Sequence, residues 1–448
     1  MKRIVAKAAQ EGIRLLILAL LLIASTGTLL PLEAMAEEGA KVLTLEEALQ
    51  IAAEKNRDIQ KAREYRNWVE GRYVEERAAA FPNFLISMHA SESRDESQKA
   101  FGGGLFPIRQ RSSAAELGLS QAVFTWGQVG AAIRAAKVGM ATADDQLRIY
   151  RQAAMRDVSA SFYDILLAKN FHAIAIQNLE QKARHYDKTQ KRFAAGVATD
   201  YDVLAWKVAV DNARPEVIRT KNLILTSRER LRFLVGGDGQ EIDVKGDLET
   251  PIEPYPKYAE AIEVAAKKRP DLSDLRHRID VAKELVKIAN AGDKPRLDLK
   301  ASIGWRDLKL GLDHADGTAW TAGLFLTYPI FDGLRTRGKV AQAKSEAATL
   351  KIEEAKLLDS ISLQVRDAVN AVHEAGEIVK ALSGTVTQAE RLFSMVEKGY
   401  EYGVKTRLDV DDIQLNLTQA QVNLARAKRD YLVARVNLEW VMGTLGEK

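Results

Sequence analysis

Few side chains in this chain have the types and the spacing that catalysis or metal binding requires. Six histidines are present, and His172 and His185 are too far apart to form an i,i+4 pair on one helical face. No HExxH, Walker or nucleophile-elbow pattern occurs. The absence of cysteine excludes disulfides, thiolate metal sites and a lipidated N-terminal cysteine. The sequence therefore predicts no catalytic site, no metal site and no cofactor.

Two short segments have the composition of ligand-binding loops without the spacing. Gly102-Gly103-Gly104 lacks the GxxxxGK[ST] pattern of a phosphate loop and joins two predicted strands. Residues 313–317 have the acidic and glycine residues of a calcium loop, but not its length or its ligand spacing. We interpret the first as a flexible turn and the second as a loop.

The chain carries one long unit twice. In the later part of each unit, a turn motif recurs at an offset of 207 positions: Gly196-Val197, Thr199 and Asp202 match Gly403-Val404, Thr406 and Asp409. In the earlier part, the offset is 213 positions: Glu47-Ala48, Asp58 and Pro82 match Glu260-Ala261, Asp271 and Pro295. Packed elements keep their length while loops vary, so the repeat indicates architecture more than chemistry. It predicts repeat 1 over residues 37–235, a linker over 236–257 and repeat 2 over 258–448.

Residues 1–36 have the features of a secretory signal peptide. Basic residues precede an apolar run over 15–23, and Ala34-Met35-Ala36 is a small-x-small cleavage site. The alternative is an uncleaved membrane anchor, which the short apolar run disfavours. Removal of this segment would leave a net charge of +2, which implies no nucleic-acid partner.

Each repeat contains two segments in which apolar and polar residues alternate. They predict hairpins over residues 83–124 and 296–331, with strands of about nine to eleven residues and polar tips over 94–111 and 307–318. Strands of this length with one apolar face can cross an outer membrane. An antiparallel sheet on a soluble core would show the same alternation.

Long stretches without proline predict helices that a compact domain does not need. After one helix over residues 44–80, helical hairpins are expected over 127–235 and 334–441, and each long helix would span roughly 100 Å. Their alanine and charge content suits coiled-coil packing. The sequence thus predicts a mainly α fold with a small β part. Since four strands cannot close a membrane barrel, several chains would have to share one.

The chain resembles the TolC-like outer-membrane efflux proteins over nearly the whole segment after residue 36. Five segments carry the resemblance. The first is at the start, Leu43 to Leu49. A strand-to-helix join and a helix turn then follow in each repeat: Leu119 to Phe124 and Arg192 to Thr199, then Tyr328 to Gly333 and Tyr400 to Val404. It implies a homotrimer whose 12-stranded barrel lies in outer-membrane lipid and continues into the periplasm as a 12-helix barrel. Such a duct would serve efflux or type I secretion with a periplasmic adaptor and an RND- or ABC-type inner-membrane pump. A periplasmic coiled-coil adaptor without a pore is the alternative.

The resemblance also implies a gate at the periplasmic end. By position, the gate residues are Asp202, Tyr400 and Lys405, and Asp409 and Asp412 form acidic rings in the pore. Lys405 departs from the arginine of the family pattern, and lysine cannot bind a carboxylate in a bidentate fork. Asp409 could instead only complement the dipole at a helix start.

The two helix turns are the expected docking tips for the adaptor. The residues assigned to them are Gly196, Val197, Thr199, Gly403, Val404 and Thr406. Helix capping alone would select the same residue types, so that interpretation stays open.

Overall fold

The computed structural model describes residues 41–96, 109–237, 241–249, 251–310 and 313–446. The predicted signal peptide, its cleavage site and Gly102-Gly103-Gly104 lie outside these residues. From Val42 onward the chain forms one compact unit.

The described residues form eight helices and six strands. The helices are α1 (Leu45–Lys55), α2 (Arg57–Ala78), α3 (Gln128–Ala194), α4 (Asp200–Val235), α5 (Tyr258–Lys268), α6 (Pro270–Asn290), α7 (Arg335–Glu401) and α8 (Arg407–Val441). The strands are β1 (Lys41–Leu43), β2 (Asn83–Arg94), β3 (Arg109–Phe124), β4 (Ile242–Val244), β5 (Arg296–Leu310) and β6 (Asp313–Thr327). The prediction of a mainly α fold with a small β part is confirmed.

The longest helices, α3 and α7, each contain 67 residues. At about 1.5 Å per residue each is roughly 100 Å long. Both begin after a residue in the left-handed region, Gly127 with φ 78° and Leu334 with φ 66°. Helix α3 packs against α4 and α7 against α8, while α3 also contacts α2, α6 and α8. Helix α3 therefore joins the two helical hairpins.

The prediction of a single helix over residues 44–80 is wrong, because two helices, α1 and α2, meet at Asn56. The Asn56 side chain accepts hydrogen bonds from the N–H groups of Asp58 and Ile59 and so caps α2. Its amide also donates to the carbonyl of Leu234 at 2.7 Å, so the end of α4 meets the start of α2. Arg269 occupies the matching break between α5 and α6, and its guanidinium reaches the carbonyl of Val441 at the end of α8.

Four strands form one antiparallel sheet in the order β2-β3-β5-β6. They contain 12 to 16 residues, more than the predicted nine to eleven. The second tip is also shorter than predicted, since Asp307 pairs with Asp316 and Leu310 with Asp313 within the ladder. In this polar segment Asp307 and His314 also make a diagonal contact across the ladder, at 3.2 Å. Residues 313–317 are therefore strand and not loop.

Many apolar side chains of this sheet are exposed in the part of the chain that the structure describes. Phe84 and Trp320 are 65% and 75% exposed. The buried cores lie among the helices, in three clusters. The first surrounds α1, α3, α4 and β4, the second lies between α5, α7 and α8, and the third lies near the helix turns.

No helix in the described ranges combines the length and the apolar character that a transmembrane helix needs.

Candidate functional site at the helix turns

The two helical hairpins end in turns with the same backbone geometry. Gly196 and Gly403 adopt φ values of 74° and 76°, which side chains other than glycine rarely permit. The N–H of Val197 donates to the carbonyl of Arg192 at 2.9 Å, and the N–H of Val404 donates to that of Gly399 at 2.8 Å. These bonds satisfy carbonyls at the ends of α3 and α7, as expected for glycine-terminated helices.

A threonine and an aspartate form a capping box after each turn. The N–H of Thr199 donates to Oδ2 of Asp202 at 3.0 Å, and the N–H of Asp202 donates back to Oγ1 of Thr199 at 3.2 Å. Thr406 and Asp409 make the same pair of bonds, at 2.8 and 3.2 Å. Hydrogen bonds from the threonine therefore lower the pKa of each aspartate, with Arg407 adding to the effect at Asp202 and Lys405 at Asp409.

The structure thus shows that the predicted gate and ring carboxylates Asp202 and Asp409 cap helices. Of the other predicted residues, Asp412 is exposed on α8, and the N–H of Lys405 donates to the carbonyl of Gly399. The gate and ring assignments concern contacts around a shared axis, so they stay predictions.

Behind the turns, an aromatic cluster joins all four helices of the two hairpins. We call it the turn cluster: His185 of α3, Trp206 of α4, Tyr400 of α7 and Arg407 of α8. The imidazole of His185 stacks on the indole of Trp206 with 4.6 Å between ring centroids and 15° between planes. Tyr400 lies edge-on to both rings, at 5.9 and 6.4 Å. The Arg407 guanidinium lies 5.7 Å from the Trp206 ring.

Trp206 lies at the centre of this cluster. It is 1% exposed, and its Nε1–H donates to the hydroxyl of Tyr400 at 3.4 Å. Phe393, Val396 and Val410 bury the cluster on the α7 and α8 side. One indole therefore contacts both helical hairpins.

His185 is buried in this cluster, with 6% of its surface exposed. Burial lowers the pKa of His185 to about 4, and the positive charges of Lys188 and Arg184 add to this, while Glu401 opposes it. Glu397 Oε1 lies 3.8 Å from Nε2 of His185. At neutral pH the imidazole is therefore uncharged.

Sequence reasoning missed the turn cluster, although one signal was present. Trp206 and Val210 are four positions apart on α4, and both are buried. An apolar i,i+4 pair of this kind marks the core-facing side of a helix. Nothing in the local sequence, however, showed that His185 and Tyr400 face this side.

Two ion pairs surround the cluster. Lys188 of α3 and Glu401 of α7 approach to 2.7 Å, and Arg407 and Asp411 of α8 approach to 2.5 Å. Both pairs are partly or largely exposed, so each contributes little to stability. Within the described ranges, no group of three or more histidines and carboxylates is arranged to hold a metal ion.

The sequence model of the family described as "Outer membrane efflux protein" matches residues 48–237 and 261–444, which is most of the chain. This chain belongs to the outer membrane efflux protein family. It is 25% identical over 363 residues to outer membrane protein TolC of Escherichia coli (strain K12), covering 76% of this chain and 71% of TolC. It is 26% identical over 385 residues to alkaline protease secretion protein AprF of Pseudomonas aeruginosa, covering 83% of this chain and 78% of AprF.

A solved structure shows the same fold. The crystal structure of the Campylobacter jejuni CmeC outer membrane channel aligns with a TM-score of 0.77 and 17% sequence identity, covering 89% of this chain and 85% of CmeC. The resemblance to TolC-like proteins is therefore confirmed. The family consists of channel proteins and not of enzymes. The protein is an outer-membrane efflux protein with a helical extension in the periplasm.

The helix turns of this efflux protein carry exposed apolar side chains. Val197 and Val404, at matching positions of the two turns, are 65% and 78% exposed. Tyr201 and Leu408 follow them at the starts of α4 and α8 and are also exposed. Capping requires the glycine, threonine and aspartate but no apolar side chain at these positions. Helix capping therefore does not explain the exposed apolar side chains at the turns.

Proposed function

We propose that three copies of this chain form an outer-membrane duct that conducts substrates from an inner-membrane pump and a periplasmic adaptor to the outside. Such a duct would serve a tripartite efflux or type I secretion system. The observation that carries the proposal is the sheet β2-β3-β5-β6, many of whose large apolar side chains are exposed although the chain has buried cores elsewhere. A sheet on a soluble core would cover those side chains.

The sheet also supports a shared barrel. Its two outer strands, β2 and β6, are each paired on one side. In lipid, unpaired backbone groups are too costly to leave exposed, so these edges require partners from other chains. The smallest membrane barrels have about eight strands, and three chains with four strands each would supply 12.

We further propose that the chain contains an internal two-fold repeat. The long helices of the two repeats would continue the duct beyond the barrel. The family model matches twice, and α3 and α7 have the same length of 67 residues. In a trimer, the long helices of both repeats would surround one shared axis, and the turns would lie at the periplasmic end. There Tyr400, Lys405 and Asp202 would close the duct, and Asp409 and Asp412 would line it.

Conductance in a planar lipid bilayer tests the duct. The purified protein, without residues 1–36, should insert as a trimer and give a small, cation-preferring conductance. Replacement of Asp202 or Tyr400 should enlarge the conductance. A soluble, monomeric species that does not insert would contradict the proposal and favour a periplasmic adaptor or scaffold.

We propose that the exposed turns dock the adaptor, and photo-cross-linking tests this in whole cells. A cross-linking amino acid at Val404 should capture a periplasmic protein, whereas one at the exposed position His373, far from the turn on α7, should not. Val197→Asp should abolish the capture and export while trimer remains. Thr199→Ala removes the hydroxyl that caps α4 and leaves the exposed Val197 in place, so it measures what capping contributes. Equal effects of both substitutions, with loss of trimer, would show that the turns serve only as caps.

A further inference from the structure

The hydroxyl of Tyr400 has a defined partner within its own chain. Trp206 Nε1–H donates to it at 3.4 Å, and the Trp206 ring and the His185 ring both lie against the tyrosine ring. A hydroxyl that accepts one hydrogen bond can still donate its own hydrogen. The geometry therefore fixes the tyrosine ring and leaves its O–H free to donate elsewhere.

Trp206 can fix Tyr400 because it is itself immobilised. It is 1% exposed, its ring stacks on His185, and Tyr400 and the guanidinium of Arg407 also lie against that ring. The indole N–H can only donate, and a buried indole usually has a hydrogen-bond partner. Removing the tyrosine hydroxyl would leave this N–H unsatisfied.

The position of Trp206 also couples the two hairpins. The indole belongs to α4 of the first hairpin, whereas Tyr400 and Arg407 belong to α7 and α8 of the second. Any movement of α7 and α8 away from α3 and α4 would have to separate these rings. Contacts of this kind, between packed elements, have a small number of discrete arrangements.

We propose that Trp206 is a positioning residue for the gate: its indole holds the Tyr400 hydroxyl in place and keeps the two hairpins of each chain together in the closed duct. This inference rests on the proposed function, since it assumes that Tyr400 closes the periplasmic end. It adds a residue outside the predicted set of Asp202, Tyr400 and Lys405. Loss of the indole N–H should release Tyr400 even when a ring still fills the space.

Single-channel conductance of the purified trimer in a planar bilayer tests this with three variants. Trp206→Phe keeps an aromatic ring against His185 but removes the N–H. Tyr400→Phe removes the hydroxyl, and Phe393→Ala loosens the same buried cluster without touching the hydrogen bond. Trp206→Phe and Tyr400→Phe should each raise the conductance by about twofold or more, because each frees one constriction of a water-filled pore. The double variant should add nothing further, and Phe393→Ala should leave the conductance unchanged.

The outcomes separate this inference from the proposed function. If the wild-type protein does not insert, the duct proposal fails. If Tyr400→Phe raises the conductance and Trp206→Phe does not, the gate stands and the role of Trp206 is refuted. If neither changes it, the gate is not at Tyr400, and the inference fails with it. An equal rise in Phe393→Ala would show general loosening and would also overturn the role of Trp206.

Discussion

His185 should make the turn cluster sensitive to acid. Its imidazole is buried between Trp206 and Tyr400, and its pKa is lowered from the ordinary 6.5 to about 4 by burial and by the nearby positive charges. Between these two pH values the unfolded chain binds a proton that the folded chain does not bind. The contribution of His185 to stability is therefore complete above pH 6.5 and is lost as the pH falls toward 4.

The magnitude follows from the two pKa values. At pH 4 the loss is about 3 kcal/mol per chain, and at pH 5.5 it is about 1.4 kcal/mol. The groups facing the imidazole are Lys188 and Arg184 on its own helix and Glu397 and Glu401 on α7. Glu401 raises the pKa but only partly offsets the burial, so the direction is fixed by burial and by the two cations.

Hydrogen exchange measures this loss locally. Peptides covering residues 180–210 report the free energy of opening of α3 and α4 around the cluster. His185→Phe keeps a stacked ring and removes the titration, and comparison at equal pH cancels the intrinsic pH dependence of exchange. Between pH 7.5 and 5.5 the wild type should lose about 1 to 1.5 kcal/mol of opening free energy more than the variant. His373→Phe, at an exposed position, should behave as the wild type. Equal pH dependence in the wild type and His185→Phe would refute the reasoning.

Four further substitutions test the helix turns and joints by the free energy of unfolding in detergent. Gly236→Ala should destabilise the protein by more than about 3 kcal/mol, because φ is 71° and a Cβ would lie 2.2 Å from the carbonyl oxygen of Lys55. Gly196→Ala should cost only about 1 kcal/mol, because φ is a similar 74° but no atom lies within 4 Å of a Cβ there. Equal costs would show that backbone strain alone matters at both positions. Asn56→Ala should cost about 1 to 3 kcal/mol, since it removes the cap of α2 and the bond to the end of α4. Retention of full stability would show that this joint is not held by the amide. Arg269→Met should cost about 3 kcal/mol or more, since the buried guanidinium binds a carboxylate, an amide and a backbone carbonyl; a neutral result would mean that burial of the methionine offsets those bonds.

The helix turns could be predicted from sequence because their causes are local. Glycine at positive φ ends α3 and α7, and threonine with an aspartate three positions later starts α4 and α8. Every atom involved lies within a few residues of the turn. The same reasoning should have placed a helix break at Asn56, since asparagine is a preferred N-cap. It failed there because the helical pattern continues on both sides.

The strand lengths and the second hairpin tip were predicted less well. Apolar alternation ends near Trp305 and resumes near Trp320, so the polar residues between them resembled a loop. Pairing with the facing strand extends the ladder to Leu310 and Asp313. Ladder hydrogen bonds join backbones and need no apolar side chains, so the sequence pattern did not reveal them.

The sequence by itself determined the class of elements, their order, the two long helical hairpins and the family, because periodicity, caps and turn residues act over short distances along the chain. The tertiary structure decided which residues meet. Trp206 contacts a tyrosine 194 positions away, and Asn56 bonds a carbonyl 178 positions away. Such contacts depend on how whole helices pack, and packing is set by the fit of many side chains at once. The burial of His185 and its lowered pKa follow from that packing and from no local pattern.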